Sequence, residues 1–129
     1  MQCPCQSNNP YTTCCQALIE ETSAAPTAEK LMRSRYTAYT LGDIDYLMRT
    51  HHVSTRPIKE KNEIKKWTDS VQWMGLSILS KKDGNENDKQ GIVEFKAVFI
   101  EKGMPNHIHE KSRFVKEKGL WYYKSGQHF

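Results

Sequence analysis

All four cysteines of the chain lie between Cys3 and Cys15, in the stretch Cys3-Pro-Cys5-Gln-Ser-Asn-Asn-Pro-Tyr-Thr-Thr-Cys14-Cys15. No other segment limits its own backbone so strictly. Zinc takes four sulfur or nitrogen ligands in a tetrahedron, with Zn–S of about 2.3 Å. A Cys-x-Cys turn can offer two thiolates, and two adjacent cysteines at a helix start can offer the others, where the helix N-terminus favours the thiolate form. Four protein ligands leave the ion no open position, so a metal held by Cys3, Cys5, Cys14 and Cys15 is expected to be structural zinc. Free surface thiols and a disulfide pair are the alternatives. The absence of Cys-x-x-Cys weakens a redox reading.

The thiols are read as metal ligands partly because of where the chain is expected to reside. No apolar run approaches the length of about 20 residues that spans a bilayer, and the N-terminus lacks a basic region followed by an apolar one. The expected compartment is the cytoplasm, where clustered thiols are more often ligands than disulfides. With 129 residues, 37% of them hydrophobic and 26% charged, the chain suits one globular core carrying a small appendage. The net charge of +4 is modest, with Lys and Arg interspersed among acids. Charge therefore gives no argument for nucleic-acid binding.

After the cysteines the hydrophobic period is helical. Thr13 to Gln16 fits a capping box for a short helix through Ala17, Leu18 and Ile19. A linker follows from Glu21 to Pro26. The strongest helix is expected from about Thr27 to Leu41, with Ala28, Leu31, Met32, Tyr36 and Tyr39 on one face. Gly42 should stop it and Asp43 should cap the next helix, Ile44 to about His51. Lys59 to about Gln72 reads as a third. The period then shortens to two. Strands are expected over Trp73–Ser80, Gly91–Lys102, His107 to about Lys116 and Leu120–Lys124, with turns at Asp83-Gly84, Gly103–Asn106 and Lys118-Gly119. Helices first and a strand meander second predict an α+β fold, with three helices packed on an antiparallel sheet.

Several blocks carry a resemblance to known families. Cys3-Pro-Cys5-x-Ser7-x-x-x-Tyr11-x-x-Cys14-Cys15 resembles the SEC-C motif, a zinc-binding tail of the SecA translocation ATPase. Its ligands, three cysteines and a final Cys or His, would map onto Cys3, Cys5, Cys14 and Cys15. Three further blocks, Pro26-Thr-Ala-Glu-Lys-Leu-Met-Arg-Ser-Arg-Tyr-Thr-Ala-Tyr39, Leu41-Gly-Asp-Ile-Asp-Tyr-Leu47, and Ser112-Arg-Phe114 with Gly119-Leu-Trp-Tyr-Tyr123, look like the YchJ-like family of uncharacterised bacterial proteins. The resemblance implies a nuclear transport factor 2-like (cystatin-like) cone, with helices against a curved sheet. It divides the chain into a knuckle with a short helix over residues 1–22 and a cone over 26–129. The chain departs from the motif where Gln6 and Asn8 replace common glycines.

Cones of this kind often host a pocket between sheet and helices, which is an argument by analogy. On the third strand Ile108, Glu110, Ser112 and Phe114 share a face opposite His107, His109, Lys111 and Arg113. The apolar members direct that face inward, carrying Glu110 and Ser112 with it. Arg35 lies amid the apolar face of the main helix. An inward Arg and an inward Glu need partners, so an Arg35–Glu110 pair is expected, with Tyr36 and Tyr39 alongside. It would be either a structural ion pair or the polar part of a pocket formed by Arg35, Tyr36, Tyr39, Glu110, Ser112 and Phe114.

Other polar groups are weaker. His107 and His109 share a strand face with no third ligand nearby, and His51-His52 suits a helix C-terminus. Lys59, Lys61, Lys65 and Lys66 form a solvated face, and Ser34, Ser77 and Ser112 lack a nucleophile elbow. No reaction is therefore assigned. The leading expectation is a protein-interaction adaptor that contacts a partner through its zinc knuckle, as the SEC-C resemblance implies. The alternative is a small-molecule-binding protein or enzyme using the cone interior.

Overall fold

Thr27 opens the longest helix by turning its hydroxyl back on the chain, where Oγ1 accepts from Lys30 N at 3.1 Å. This satisfies one of the orphan donors of a helix start. The computed structural model describes residues 1–20 and 23–129; the start of the expected linker, Glu21 and Thr22, lies outside them. Helices α1 (Cys15–Ile19), α2 (Ala28–Leu41), α3 (Ile44–Arg49) and α4 (Lys61–Ser70) precede strands β1 (Gln72–Asp83), β2 (Gln90–Glu101), β3 (Met104–Glu117) and β4 (Leu120–His128). Gly42 ends α2 in the left-handed region at φ 70°. Asp43 then caps α3 by accepting from Tyr46 N at 3.0 Å.

The strands form one antiparallel meander in the order β1-β2-β3-β4. Alternation sends Val93, Phe95, Ala97 and Phe99 of β2 to the inner face, where all are buried. Ala28, Leu31, Met32 and Tyr36 of α2 meet Leu76, Val93, Phe95, Phe114 and Trp121 in the main core. Each fully buried large side chain contributes about 1.5–3 kcal/mol. Register irregularities at Trp73/Gly75 and Ile78/Ser80 in β1, and at Arg113/Phe114 in β3, are the kind of bulge that bends and twists a strand. The fold is α+β, as its two periods predict.

The differences from the sequence expectation have local causes. The capping box does not form: Thr13 Oγ1 donates to Pro10 O at 3.3 Å, closing a short 3-10 turn. Cys14 takes the N-cap position without a side-chain cap. β1 and β4 extend well past the apolar residues that mark them. The polar end of β1 is held by pairing, with Lys81 opposite Val93 and Lys82 opposite Ile92. The β2–β3 turn is Lys102-Gly103, both at positive φ, so Met104 and Pro105 belong to β3. Proline is tolerated there because β4 reaches only as far as Glu110 along β3, leaving the Pro105 side of the strand unpaired.

Candidate functional site: the cysteine knuckle and the cone cavity

Two left-handed residues shape the knuckle. Gln6 at φ 62° and Asn8 at φ 70° occupy the positions where glycine is common in the motif, and they turn the chain so that Gln6 N donates to Cys3 O at 3.1 Å and Cys3 N to Asn9 O at 2.9 Å. The four sulfurs converge. All lie within 4.8 Å of one another and all four residues are buried. Cys5 and Cys14 sulfurs are 3.6 Å apart, and those of Cys14 and Cys15 are 3.9 Å apart. A tetrahedron with Zn–S near 2.3 Å requires sulfur separations of about 3.8 Å. The donor set therefore fits a single tetrahedral ion. A hydrogen bond from Cys15 holds the Cys5 thiol down at about 4, while that same bond, with burial, pushes Cys15 up. The cluster is already biased toward a thiolate.

A shell of donors surrounds the sulfurs, and the sequence reading did not single it out. Lys30 Nζ lies 2.9 Å from Cys14 Sγ and Ser7 Oγ 3.2 Å from it. Burial disfavours the Lys30 ammonium, but the hydrogen bond to Cys14 and the neighbouring thiols outweigh it and raise its pKa. Arg33, tied to Glu29 at 3.0 Å, donates through Nη1 to Cys5 O at 2.7 Å. Thr37 Oγ1 is 3.7 Å from Cys3 Sγ. Such outer partners orient ligands and balance the charge of a four-thiolate site, about −2 with a divalent ion. Lys30, Arg33 and Thr37 lie on the same α2 that lines the cone, on the face away from the apolar stripe. Their spacing of three and four residues was the available signal. The knuckle is thus docked: the cysteines pack with Ile19, Ala38, Tyr46 and Leu47 in a second apolar cluster. Gln6 Oε1 also accepts from Leu76 N of β1 at 2.8 Å.

On the other side of α2 a cavity of about 250 Å³ opens between helices and sheet. Arg35, Tyr36, Tyr39 and Glu110 line it, with Met32, Leu47, Met48, His51, Trp67, Trp73, Phe95, Ala97, Tyr123 and His128 among the other walls. Ser112 and Phe114 do not reach the cavity. They are fully buried behind Glu110, where Ser112 Oγ donates to Glu110 Oε2 at 2.6 Å.

Arg35 and Glu110 are both inward, 5% and 6% exposed, but among the described residues they form no ion pair. Tyr123 stands between them. Its hydroxyl donates to Glu110 Oε2 at 2.6 Å, and the Arg35 guanidinium sits over its ring, 4.8 Å from the centroid. Burial, then the bond to Glu110, push the Tyr123 phenol well above its ordinary range, so it remains a donor. Glu110 Oε1 faces His128 Nε2 at 3.3 Å. Arg35 Nη1 donates to Leu47 O at 2.9 Å and to Thr50 Oγ1 at 2.7 Å. The sequence pairing fails because each group finds nearer partners on α3, the residue that follows it, and β4.

His51 follows the end of α3 as expected, its N–H donating to Met48 O at 3.2 Å, but its ring does not serve as a charged helix cap. His51 forms a parallel bridge with Tyr123 and turns its ring edge to that residue at a centroid distance of 4.9 Å. Burial, reinforced by Arg35 and Arg56, lowers its pKa to about 4, so it lines the cavity as a neutral imidazole. His107 is exposed and His109 binds Glu94 at 2.7 Å, in keeping with a solvated face. Among the described residues, no helix is long and apolar enough to cross a membrane.

The comparisons agree along the whole chain. The family model for YchJ, middle NTF2-like domain, matches residues 27–126. A UPF0225 protein from Chromobacterium violaceum is 44% identical over 124 residues, covering 96% of this chain and 90% of that protein. The solution structure of a SEC-C motif containing protein from Rhodopseudomonas palustris superposes with a TM-score of 0.89 at 34% identity, covering 100% of this chain and 99% of the other. The crystal structure of a SEC-C motif containing protein from Psychrobacter arcticus gives a TM-score of 0.82 at 29% identity, covering 95% and 80%. With its N-terminal cysteine cluster and its NTF2-like middle domain, the chain belongs to the YchJ/UPF0225 family.

Proposed function

We propose that the protein binds a small molecule in the cavity of its cone, residues 26–129, and that the knuckle, residues 1–22, is a structural zinc staple. One observation carries this reading: Arg35 is buried against the cavity wall and, among the described residues, only its Nη1 is hydrogen-bonded to protein. Buried charges are normally fully paired, so a half-satisfied guanidinium beside an open, aromatic-walled space argues for a ligand. Zinc is supported by sulfur spacing and by thiolate chemistry. The adaptor alternative loses ground because the knuckle commits its buried groups to α2 and β1, leaving a short polar loop for a partner.

The reading is tested by titrating neutral indole into nitrogen-15-labelled protein and following the side-chain N–H signals of the three tryptophans. Indole is small enough for the cavity, since benzene already fits one of about 150 Å³. Saturable shifts at Trp67 and Trp73, with Trp121 unmoved, are expected. No saturable shift would remove the cavity reading. Metal analysis of protein purified without added zinc should give one ion per chain. Loading of fewer than about half the molecules, with all thiols titratable, would remove the zinc site.

A further inference from the structure

The chemistry of the cavity also selects what enters it. Its hydrogen-bonding groups are unbalanced toward donors. Glu110, the one carboxylate on the wall, already accepts from Ser112 and Tyr123 and faces His128. Arg35, by contrast, has no protein acceptor at Nε or Nη2 among the described residues. Among the described residues, the sealed side-chain atoms without partners are Thr68 Oγ1 and Trp73 Nε1, and no Arg35 nitrogen is among them. The free Arg35 nitrogens therefore reach accessible space, which for a residue 5% exposed is the cavity. His51 contributes no positive charge, being held neutral by burial and by Arg35. The cavity thus presents aromatic walls, a carboxylate whose oxygens already accept, and a guanidinium with N–H groups still free.

We infer that the cavity receives a small aromatic carboxylate, a monoanion of one or two rings, with its carboxylate on Arg35 and its ring among the aromatic side chains. This rests on the cavity reading above and sharpens it. With Nη1 engaged, the free Nε–H and Nη2–H form one bidentate edge, which suits a planar carboxylate. A volume of about 250 Å³ exceeds the roughly 150 Å³ that holds benzene and falls below the roughly 300–1,000 Å³ of drug-sized sites. Glu110 faces the same space, and the cost of desolvating an anion rises steeply with its charge, which favours a carboxylate monoanion over a phosphate dianion.

The test compares four indoles by calorimetry at neutral pH: indole-3-acetate, indole-3-acetamide, tryptamine and indoxyl phosphate. The acetate should bind at least tenfold more tightly than the amide, and more tightly than the amine or the phosphate. In Arg35→Gln the acid-over-amide preference should fall to within twofold. Arg35→Lys should keep part of the preference. Amide or amine binding as tightly as the acid in the wild-type protein overturns the carboxylate and leaves the cavity reading standing. Phosphate binding tighter than acetate overturns the monoanion. Failure of all four, with indole also inert, removes both. Should Arg35→Gln fail to fold, the wild-type series decides alone.

Discussion

Gln6 shows how one side chain can be both a local cost and a tertiary tie. At φ 62° it holds a backbone conformation that glycine adopts freely and other residues adopt at a cost of about 1 kcal/mol. Its amide oxygen offsets that by accepting from Leu76 N of β1 at 2.8 Å, a bond with a net value of about 0.5–1.5 kcal/mol. Gln6→Gly should therefore be nearly neutral, whereas Gln6→Ala keeps the strain, loses the bond and should destabilise by about 1 kcal/mol in urea titration. An unchanged urea midpoint in Gln6→Ala would show that the tie adds nothing, and equal losses in the two variants would show that Gln6 carries no backbone strain. Lys30 answers a different question. Its ammonium donates to Cys14 Sγ, and removing such an outer partner typically costs 10–100-fold in metal affinity. Lys30→Met should weaken zinc roughly tenfold in competition with a chromophoric chelator; an unchanged constant would mean that the contact serves only packing.

At the scale of elements, the junction of α3 with β4 organises the cavity. His52 N donates to Tyr123 O and Tyr123 N to Thr50 O, both at 2.8 Å, so the segment after α3 is stitched along β4. His51 is thereby held beside Arg35 and Tyr123. Its folded pKa of about 4 lies below the unfolded value of about 6.5. Between those values the unfolded chain binds a proton that the native protein refuses, so stability falls as pH drops from about 6.5 to 4 and is complete above that window. Half-burial screens the effect to the order of 1 kcal/mol. His51→Gln should flatten the pH dependence of the urea midpoint in that range. Any metal that the cysteines hold and release in acid is lost from both proteins, so their difference is the readout, and parallel profiles would refute the buried neutral imidazole. This junction was illegible in the sequence. Periodicity gave the extent of α2, its Gly42 stop, the Asp43 cap of α3 and the inward face of β3, because those depend on neighbours in the chain. That Tyr123 separates Arg35 from Glu110 depends on the register of β4 against β3. That register includes a bulge and places Gly126 opposite Ser112, where any β-carbon would overlap the Glu110 carboxylate.

Across the whole molecule, α2 has two working faces, and the cysteine cluster and the cavity lie on opposite sides of it. Lys30, Arg33 and Thr37 contact the knuckle, while Met32, Arg35, Tyr36 and Tyr39 face the cavity. The cysteines further share a cluster with Ala38, Tyr46 and Leu47, and Leu47 also supplies the carbonyl that holds Arg35. Removing the metal would leave four buried thiols and an unbalanced Lys30, loosening the packing that positions α3. Zinc loss should therefore be felt by the cone. All three tryptophans, Trp67, Trp73 and Trp121, belong to the cone, so the fluorescence transition follows its unfolding. Under reducing conditions a strong chelator, or the Cys14→Ser, Cys15→Ser pair of changes, should lower the midpoint of the tryptophan transition. Ligand saturation of about 100 times Kd contributes about 2.7 kcal/mol, and a structural zinc bound far more tightly should contribute more. For a domain of this size, each kcal/mol moves Tm by about 3–6 °C, so a fall of 10 °C or more is expected. An unmoved tryptophan transition beside complete metal loss would mean that the knuckle folds independently of the cone, and the staple reading would then fail.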